Sequence, residues 1–153
     1  MTASVILYID ADACPVKDEI LRVSSRLRLK TCFVSNSWMR LPEDELVERV
    51  IVPQGPDVAD DWIAERAGKG TVVVTADVPL ADRCVKAGAR VIAPNGRTFD
   101  AASIGMALAT RDLMEDLRSA GQVTGGPRPF APKDRQTFLQ ALDREVRRAA
   151  KDL

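Results

Sequence analysis

Short apolar runs alternate with longer segments in which apolar residues recur every three or four positions along this chain of 153 residues. The runs are typical of strands that are buried on both faces of a parallel sheet. Thr71–Thr75 is the clearest of them, since three consecutive valines form its centre. The pattern predicts five strands, at residues 4–9, 31–35, 50–52, 71–75 and 90–93.

Five helices are predicted from the apolar residues at helical spacing. Pro15 marks the start of the first helix, because proline is favoured at the first helical position. The helices cover residues 15–27, 57–67, 79–87, 103–119 and 134–150. Residues 36–46 are ambiguous, although residues 42–45 are compatible with the start of a short helix. In the fourth helix the expected apolar side consists of Ile104, Leu108, Leu113 and Leu117.

Strands that alternate with helices predict an α/β three-layer sandwich with a central, mostly parallel five-stranded sheet. Residues 1–153 are expected to form a single domain, because one hydrophobic core typically serves about 100–200 residues. The glycine- and proline-rich segment 121–133 and the helix 134–150 are expected to pack on that domain. In such folds, ligands bind beyond the carboxyl ends of the strands, where the strand order reverses.

The chain contains no histidine, which excludes histidine-based nucleophile systems and the usual zinc sites. Carboxylates, lysines and a bound metal are left as the main catalytic groups. Equal numbers of basic and acidic residues, 22 of each, give no net charge, so a nucleic-acid surface would have to be a local patch. The three separated cysteines and the absence of a secretion signal or membrane span favour a cytoplasmic protein.

Aspartates are concentrated at three predicted junctions between a strand and a helix. They are Asp10, Asp12, Asp57, Asp60, Asp61, Asp77 and Asp82. Capping explains any one of them, since aspartate is a preferred N-cap residue, but each junction has more carboxylates than a cap requires. If the first and fourth strands are neighbours, these groups converge at one edge of the sheet.

Carboxylates that share one pocket repel each other unless some are protonated or a cation lies between them. Ligation by oxygen alone, without histidine or thiolate, suits Mg²⁺ or Mn²⁺ best. The sequence therefore predicts a divalent-metal site formed by aspartates of this set.

Two acidic segments resemble those of PIN/NYN-type nucleases. They are Asp60-Asp-Trp-Ile-Ala-Glu-Arg-Ala67 and Val72-Val-Val-Thr-Ala-Asp77, and Asp10 would be the first acid of that superfamily. The resemblance to the YaiI/YqxD family is closer and spans nearly the whole chain. It is carried by Ile9-Asp-Ala-Asp-Ala-Cys-Pro-Val-Lys17, Asp57-Val-Ala-Asp60, Thr75-Ala-Asp-Val-Pro-Leu-Ala81 and Gly126-Pro-Arg-Pro-Phe130. Together these resemblances imply a PIN-like fold.

The PIN-like resemblance implies a phosphodiester hydrolase, a nuclease that depends on Mg²⁺ or Mn²⁺ and is expected to act on RNA. Asp10, Asp60 and Asp77 would be its catalytic residues and core metal ligands. Asp12 and Asp57 would complete the metal shell or hold metal-bound waters. The second motif offers three aspartates and no glutamate, unlike many PIN nucleases, which leaves the choice among Asp57, Asp60 and Asp61 open.

Candidate substrate contacts are Lys17, Thr75, Arg97 and Arg128. Arginines can position a nucleic acid through its phosphates without reading its sequence. Each candidate also has a simpler interpretation, as a solvated charge or, for Thr75, as an ordinary strand residue. Base-stacking aromatics are sparse, and the loop candidates are Trp38, Phe99 and Phe130.

Two other functions stay open. Asp10-Ala-Asp12 resembles the acidic motif of haloacid-dehalogenase-like phosphatases, in which Asp10 would attack phosphorus and Asp12 would act as acid and base. The order of the acidic motifs along the chain argues against a phosphatase, because the paired acids Asp60-Asp61 come before the strand 71–75 instead of after it. The other alternative is a non-catalytic module that binds RNA or protein through a PIN-like pocket. A phosphatase-like role for Cys14 is rejected, since the arginine it needs six residues later is Ile20.

Overall fold

A computed structural model describes residues 4–12, 14–122 and 129–153. Within these ranges six strands and five helices form. In chain order they are β1 (Ile6–Asp10), α1 (Lys17–Leu27), β2 (Lys30–Ser35), β3 (Val47–Ile51), α2 (Val58–Arg66), β4 (Thr71–Val74), α3 (Val78–Lys86), β5 (Arg90–Ile92), β6 (Thr98–Phe99), α4 (Ile104–Ser119) and α5 (Pro132–Asp152).

The strands form one sheet in the order β3-β2-β1-β4-β5-β6. β1 to β5 are parallel, and β6 pairs with β5 in the antiparallel direction. The chain builds the sheet outward from β1 to β3 and then returns to the other side of β1 with β4. The strand order therefore reverses at β1, and the expected neighbours are present, with Ile6 paired to Thr71 and Ile9 to Val74. The prediction of a mostly parallel α/β sheet is confirmed.

Hydrophobic layers cover both faces of the sheet, because successive strand side chains point to opposite sides. In β1, Leu7 and Ile9 belong to one buried cluster and Tyr8 to the other. The first cluster includes Phe138 and is covered by α1 and α5, whereas the second includes Leu80 and is covered by α2, α3 and α4. The domain therefore has three layers, with the sheet between two layers of helices.

The last helix packs on the sheet through the residues expected from its periodicity. Phe138, Leu142 and Val146 are fully buried in the first hydrophobic cluster. A bidentate ion pair holds the carboxyl end of α5 against β5, with Arg90 Nε 2.9 Å from Asp152 Oδ2 and Arg90 Nη2 3.0 Å from Asp152 Oδ1. The helix therefore shares the core with the strands.

The sheet has six strands rather than the predicted five. Gly96 adopts a φ of +90° in the Asn95-Gly96 turn, and its N–H donates to the carbonyl of Ala93 at 2.9 Å. The turn reverses the chain, so that Thr98–Phe99 pairs with β5. A strand of two residues is too short to produce a periodic pattern, and for this reason the sequence did not reveal it.

The structure differs from the sequence-based expectations in three other segments. Leu113 is 57% exposed instead of inward-facing, because α4 is buried only near its beginning, at Ile104 and Ala107. No helix forms at residues 42–45, and β3 begins at Val47, three residues before the predicted start. β3 is an edge strand in which the exposed Glu48 and Arg49 follow Val47, so its first residues form no continuous apolar run. Among the described helices none is both long and apolar enough for a membrane span.

Replacement of Gly96 by alanine is expected to lower the free energy of unfolding by about 2–4 kcal/mol. The left-handed conformation disfavours any Cβ atom, and the new methyl group would lie 2.6 Å from Cγ2 and 2.9 Å from the carbonyl carbon of Thr137. Urea unfolding at equilibrium measures the loss.

Gly105→Ala is the matched control, because nothing lies within 4 Å of a methyl group added at this position in α4. This variant is expected to gain about 0.5 kcal/mol from its higher helix propensity. Equal stability changes in the two variants would contradict the close contact between the turn and α5.

Candidate functional site

Five aspartates meet in a cleft at the carboxyl ends of β1 and β4, where the strand order reverses. The cleft has a volume of about 270 Å³, and its acidic lining consists of Asp10, Asp12, Asp57, Asp60 and Asp77. The aspartates converge because β1 and β4 are parallel, so that the carboxyl ends of both strands lie at the same edge of the sheet. The three acidic segments, separated in sequence, thus share one pocket.

Thr75 connects the two strand ends. Its Oγ1 donates a hydrogen bond of 2.8 Å to Asp10 Oδ2 and accepts one of 3.0 Å from the main-chain N–H of Asp77. Thr75 is only 1% exposed and does not line the cleft. We therefore assign it to the positioning of Asp10 and Asp77, in place of the direct substrate contact suggested by the sequence.

Helix capping accounts for Asp77 but not for Asp57. Asp77 Oδ1 accepts a hydrogen bond of 2.9 Å from the N–H of Leu80 and caps α3. Asp57 occupies the N-cap position of α2 with a φ of +65°, and its side chain makes no capping hydrogen bond. Aspartate tolerates this left-handed conformation better than most residues. The carboxylate of Asp57 thus faces the cleft without a capping role.

The neighbours Asp60 and Asp61 point in different directions, because consecutive helical residues are rotated by about 100°. Asp60 lines the cleft. Asp61 is absent from the lining, and its Oδ1 lies 2.7 Å from Arg83 Nη1. Asp82 likewise pairs with Lys86 at 2.9 Å outside the cleft. Geometry thus selects Asp57 and Asp60 from the acidic helix, a choice that the sequence left open.

The remaining candidate substrate contacts are Lys17, Arg97 and Arg128, and neither of the two that the structure describes lines the cleft. Lys17 Nζ donates to the carbonyl of Arg40 at 3.1 Å and does not line the cleft. The guanidinium of Arg97 lies over the ring of Phe99, 5.0 Å from its centroid, in a groove that also contains Asp77. Arg128 lies outside the described residues.

Asn36 is a cleft residue that the sequence interpretation missed. It follows β2 directly, and its main-chain N–H donates to both carboxylate oxygens of Asp12, at 3.1 and 3.3 Å. Val52, Pro53 and Gly55 also line the cleft. The same rule that selected Asp10 and Asp77, a polar residue at the end of a parallel strand, would have selected Asn36.

The carboxylates interact electrostatically across the cleft. The pKa of Asp60 is raised to about 6, first by burial and then by the negative charges of Asp77, Asp10 and Asp57, against a smaller lowering by Arg83. The pKa of Asp10 is also raised, mainly by burial, although the hydrogen bond from Thr75 opposes the shift. The folded chain therefore holds several negative charges at an energetic cost.

The donor set suits a hard divalent cation, because it consists of carboxylate oxygens with the amide of Asn36 nearby. In the part of the chain that the structure describes, no three acidic or cysteine side chains are already grouped as metal ligands. Coordination by three of the aspartates would consequently require rotation of their side chains toward a common point.

The cysteines are unsuited to nucleophilic chemistry at neutral pH. Burial raises the pKa of Cys14 and of Cys32 to about 11 and that of Cys84 to about 12. The thiolate is the nucleophilic form, and at neutral pH these side chains are held as thiols. This agrees with the rejection of a thiol-based phosphatase.

The fold and the cleft together define an α/β domain with an acidic site at the switch point of its parallel sheet. A sequence profile described as "Uncharacterized BCR, YaiI/YqxD family" matches residues 8–148, and the chain belongs to this family. The resemblance of its motifs to the YaiI/YqxD family is thereby confirmed.

Relatives are similar to this chain over most of their length. The UPF0178 protein bll3966 of Bradyrhizobium diazoefficiens is 63% identical over 142 residues, which cover 93% of this chain and 85% of the relative. A UPF0178 protein of Nitrobacter winogradskyi is 60% identical over 148 residues, which cover 97% of this chain and 94% of the relative. No solved structure matches the chain.

Asp60→Asn is expected to become more stable relative to the wild type as the pH rises from 4.5 to 7.5, by about 1 kcal/mol after solvent screening of this partly exposed group. The pKa of Asp60 is about 6 in the folded protein and near 3.8 in an unfolded chain. The folded protein therefore binds the proton more tightly, and ionisation of Asp60 lowers stability across this interval. Urea unfolding in EDTA at both pH values measures the difference.

Asp61→Asn is the control for this experiment, because Asp61 pairs with Arg83 outside the cleft. Its stability relative to the wild type should not rise with pH. If Asp60→Asn behaves in the same way as this control, the carboxylates do not repel each other at Asp60.

Proposed function

We propose that this protein is a PIN-like nuclease, a phosphodiester hydrolase that depends on Mg²⁺ or Mn²⁺ and acts on RNA in the cytoplasm. The observation that carries the proposal is the convergence of Asp10, Asp60 and Asp77 in one cleft. These residues come from three separated segments, two of which resemble PIN/NYN-type nucleases. A cytoplasmic location agrees with free cysteines, which persist in a reducing compartment.

In this proposal Asp10, Asp60 and Asp77 bind the metal directly, and Asp12 and Asp57 complete the shell or hold metal-bound waters. A bound Mg²⁺ or Mn²⁺ ion would lower the pKa of a water molecule and neutralise charge on the scissile phosphate. Thr75 keeps Asp10 oriented relative to the main chain of Asp77. The raised pKa of Asp60 supports the choice, because a cation would relieve the repulsion that contributes to it.

A basic groove that adjoins the cleft supports a phosphodiester substrate. Its lining includes Asp77 of the acidic cleft together with Arg97, Arg111 and Arg118. Arg111 also pairs with Glu115 at 3.1 Å, so its charge is partly compensated. The groove is the kind of local positive patch that a chain without net charge would need to hold a polyanion.

The wild-type protein is expected to cleave end-labelled single-stranded RNA in Mg²⁺ or Mn²⁺ and not in EDTA. Asp10→Asn and Asp77→Asn should each reduce the rate by about 100-fold or more, since a proposed ligand is lost. Asparagine still caps helices well, so the second variant should keep the start of α3 intact. Time courses on denaturing gels measure the rates.

Asp82→Asn is the matched control, because Asp82 pairs with Lys86 and does not line the cleft. It should cleave at the wild-type rate. Cleavage by Asp10→Asn at that rate would attribute the activity to a contaminant. Absence of Mn²⁺ binding at millimolar concentration would favour a non-catalytic binding module, and a beryllofluoride adduct of Asp10 would favour the phosphatase.

Asp10→Asn is also expected to raise stability in EDTA at pH 7 by about 0.5–1 kcal/mol, because it removes a partly buried charge from a repulsive cluster. Thermal melts should show that Mn²⁺ raises the Tm of the wild type and of Asp82→Asn, but that of Asp10→Asn much less. An Asp10→Asn protein that unfolds outright would show Asp10 to be a structural residue.

A further inference from the structure

A tryptophan next to the acidic cleft is not accounted for by the packing of the fold. Trp38 is 65% exposed. In the described part of the chain, the other large hydrophobic side chains that are exposed are not aromatic. It lies two residues after Asn36, which lines the cleft. A large aromatic side chain in water forgoes the stabilisation of burial, and its exposed face is available to a ligand.

Hydrogen bonds hold the loop that carries Trp38 in place. At its beginning, the N–H of Asn36 donates to the carboxylate of Asp12 in the cleft. On the other side of Trp38, Arg49 Nε donates to the carbonyl of Met39 at 2.9 Å. Polar contacts on both sides of the tryptophan therefore set its location relative to the acidic cleft.

The surroundings of the ring combine an aromatic surface with positive charge. The guanidinium of Arg49 lies 4.8 Å from the centroid of the Trp38 ring, an arrangement that leaves much of the ring exposed. Arg40 lines the same groove, together with the acidic Glu43 and Asp44. The two arginines of the groove are matched in charge by the two carboxylates, so the recognising feature is the ring itself: an aromatic plane supported by the guanidinium of Arg49 suits the flat face of a nucleobase.

We propose that Trp38, supported by Arg49, is a stacking platform for a base of a single-stranded nucleic acid whose backbone enters the acidic cleft. The choice of a nucleic-acid ligand rests on the proposed function of that cleft. Bases in a duplex are stacked on each other, whereas an unpaired base offers its face to an aromatic side chain. Trp38 thus makes the protein selective for single strands.

Tryptophan fluorescence tests this platform directly, because the chain has two tryptophans with different surroundings. Trp62 packs edge-on to Tyr8, with ring centroids 5.9 Å apart, and Arg66 lies 3.8 Å from the centroid of its indole ring. Trp62→Phe leaves Trp38 as the single emitter, and Trp38→Phe leaves Trp62. A single-stranded RNA octamer, added with Ca²⁺ to neutralise the carboxylates of the cleft, should quench the first variant saturably and leave the second unchanged.

Affinity measurements identify the base as the bound group. Trp38→Ala should bind the octamer about tenfold more weakly or worse, and Trp38→Phe should retain part of the affinity, since phenylalanine also stacks. An abasic strand of equal length and a duplex of the same sequence should not quench Trp38. Equal quenching by these controls, or unchanged affinity of Trp38→Ala, would overturn the proposal.

Other outcomes separate this inference from the proposed hydrolysis. If no strand is cleaved in Mn²⁺ but base-dependent quenching is seen, the nuclease proposal fails and the platform stands. If RNA is cleaved in Mn²⁺ and Trp38 emission does not respond to it, the platform alone fails. Emission that changes only with protein concentration would assign Trp38 to contacts between copies and would also overturn the platform.

Discussion

Parallel pairing between β1 and β4 is the constraint on which the acidic site depends. The register from Ile6 with Thr71 to Ile9 with Val74 brings both strands to an end at the same edge of the sheet. Asp10 and Asp77 are therefore neighbours in space although 67 positions separate them along the chain, from 10 to 77. The buried hydrogen bonds of Thr75 hold this arrangement at the level of individual atoms.

Bringing the strand ends together also brings carboxylates together, and their burial and repulsion cost free energy in the folded protein. Burial and neighbouring carboxylates raise the pKa of both Asp10 and Asp60. Hydrophobic layers on both faces of the sheet provide the stability against which such a cost can be maintained. Asp77 caps α3, but Asp57 makes no capping hydrogen bond, so capping alone does not explain why these carboxylates are grouped.

Most of the fold could be predicted from the sequence, because strands and helices follow from local periodicity and from punctuation by proline and glycine. The periodicity of α5 correctly placed Phe138 and Leu142 in the core. The sequence did not predict a strand too short to show a periodic pattern, nor the burial of a residue that depends on packing against distant segments. Thr98–Phe99 became a strand only because a turn carried it back to β5, and Leu113 is exposed because no neighbour covers that part of α4 among the described residues.

The sequence by itself determined which chemistry was available: aspartates at the ends of strands, no histidine, and motifs of the YaiI/YqxD family. These are properties of residue types and of their order, so they are readable without coordinates. Only the tertiary structure decided that Asp60 faces the cleft while Asp61 pairs with Arg83, and that Asp57 does not act as a cap. The spacing of residues gives their relative directions on a helix, but which face of the helix meets the cleft, and which distant residue pairs with the other face, is decided by tertiary packing.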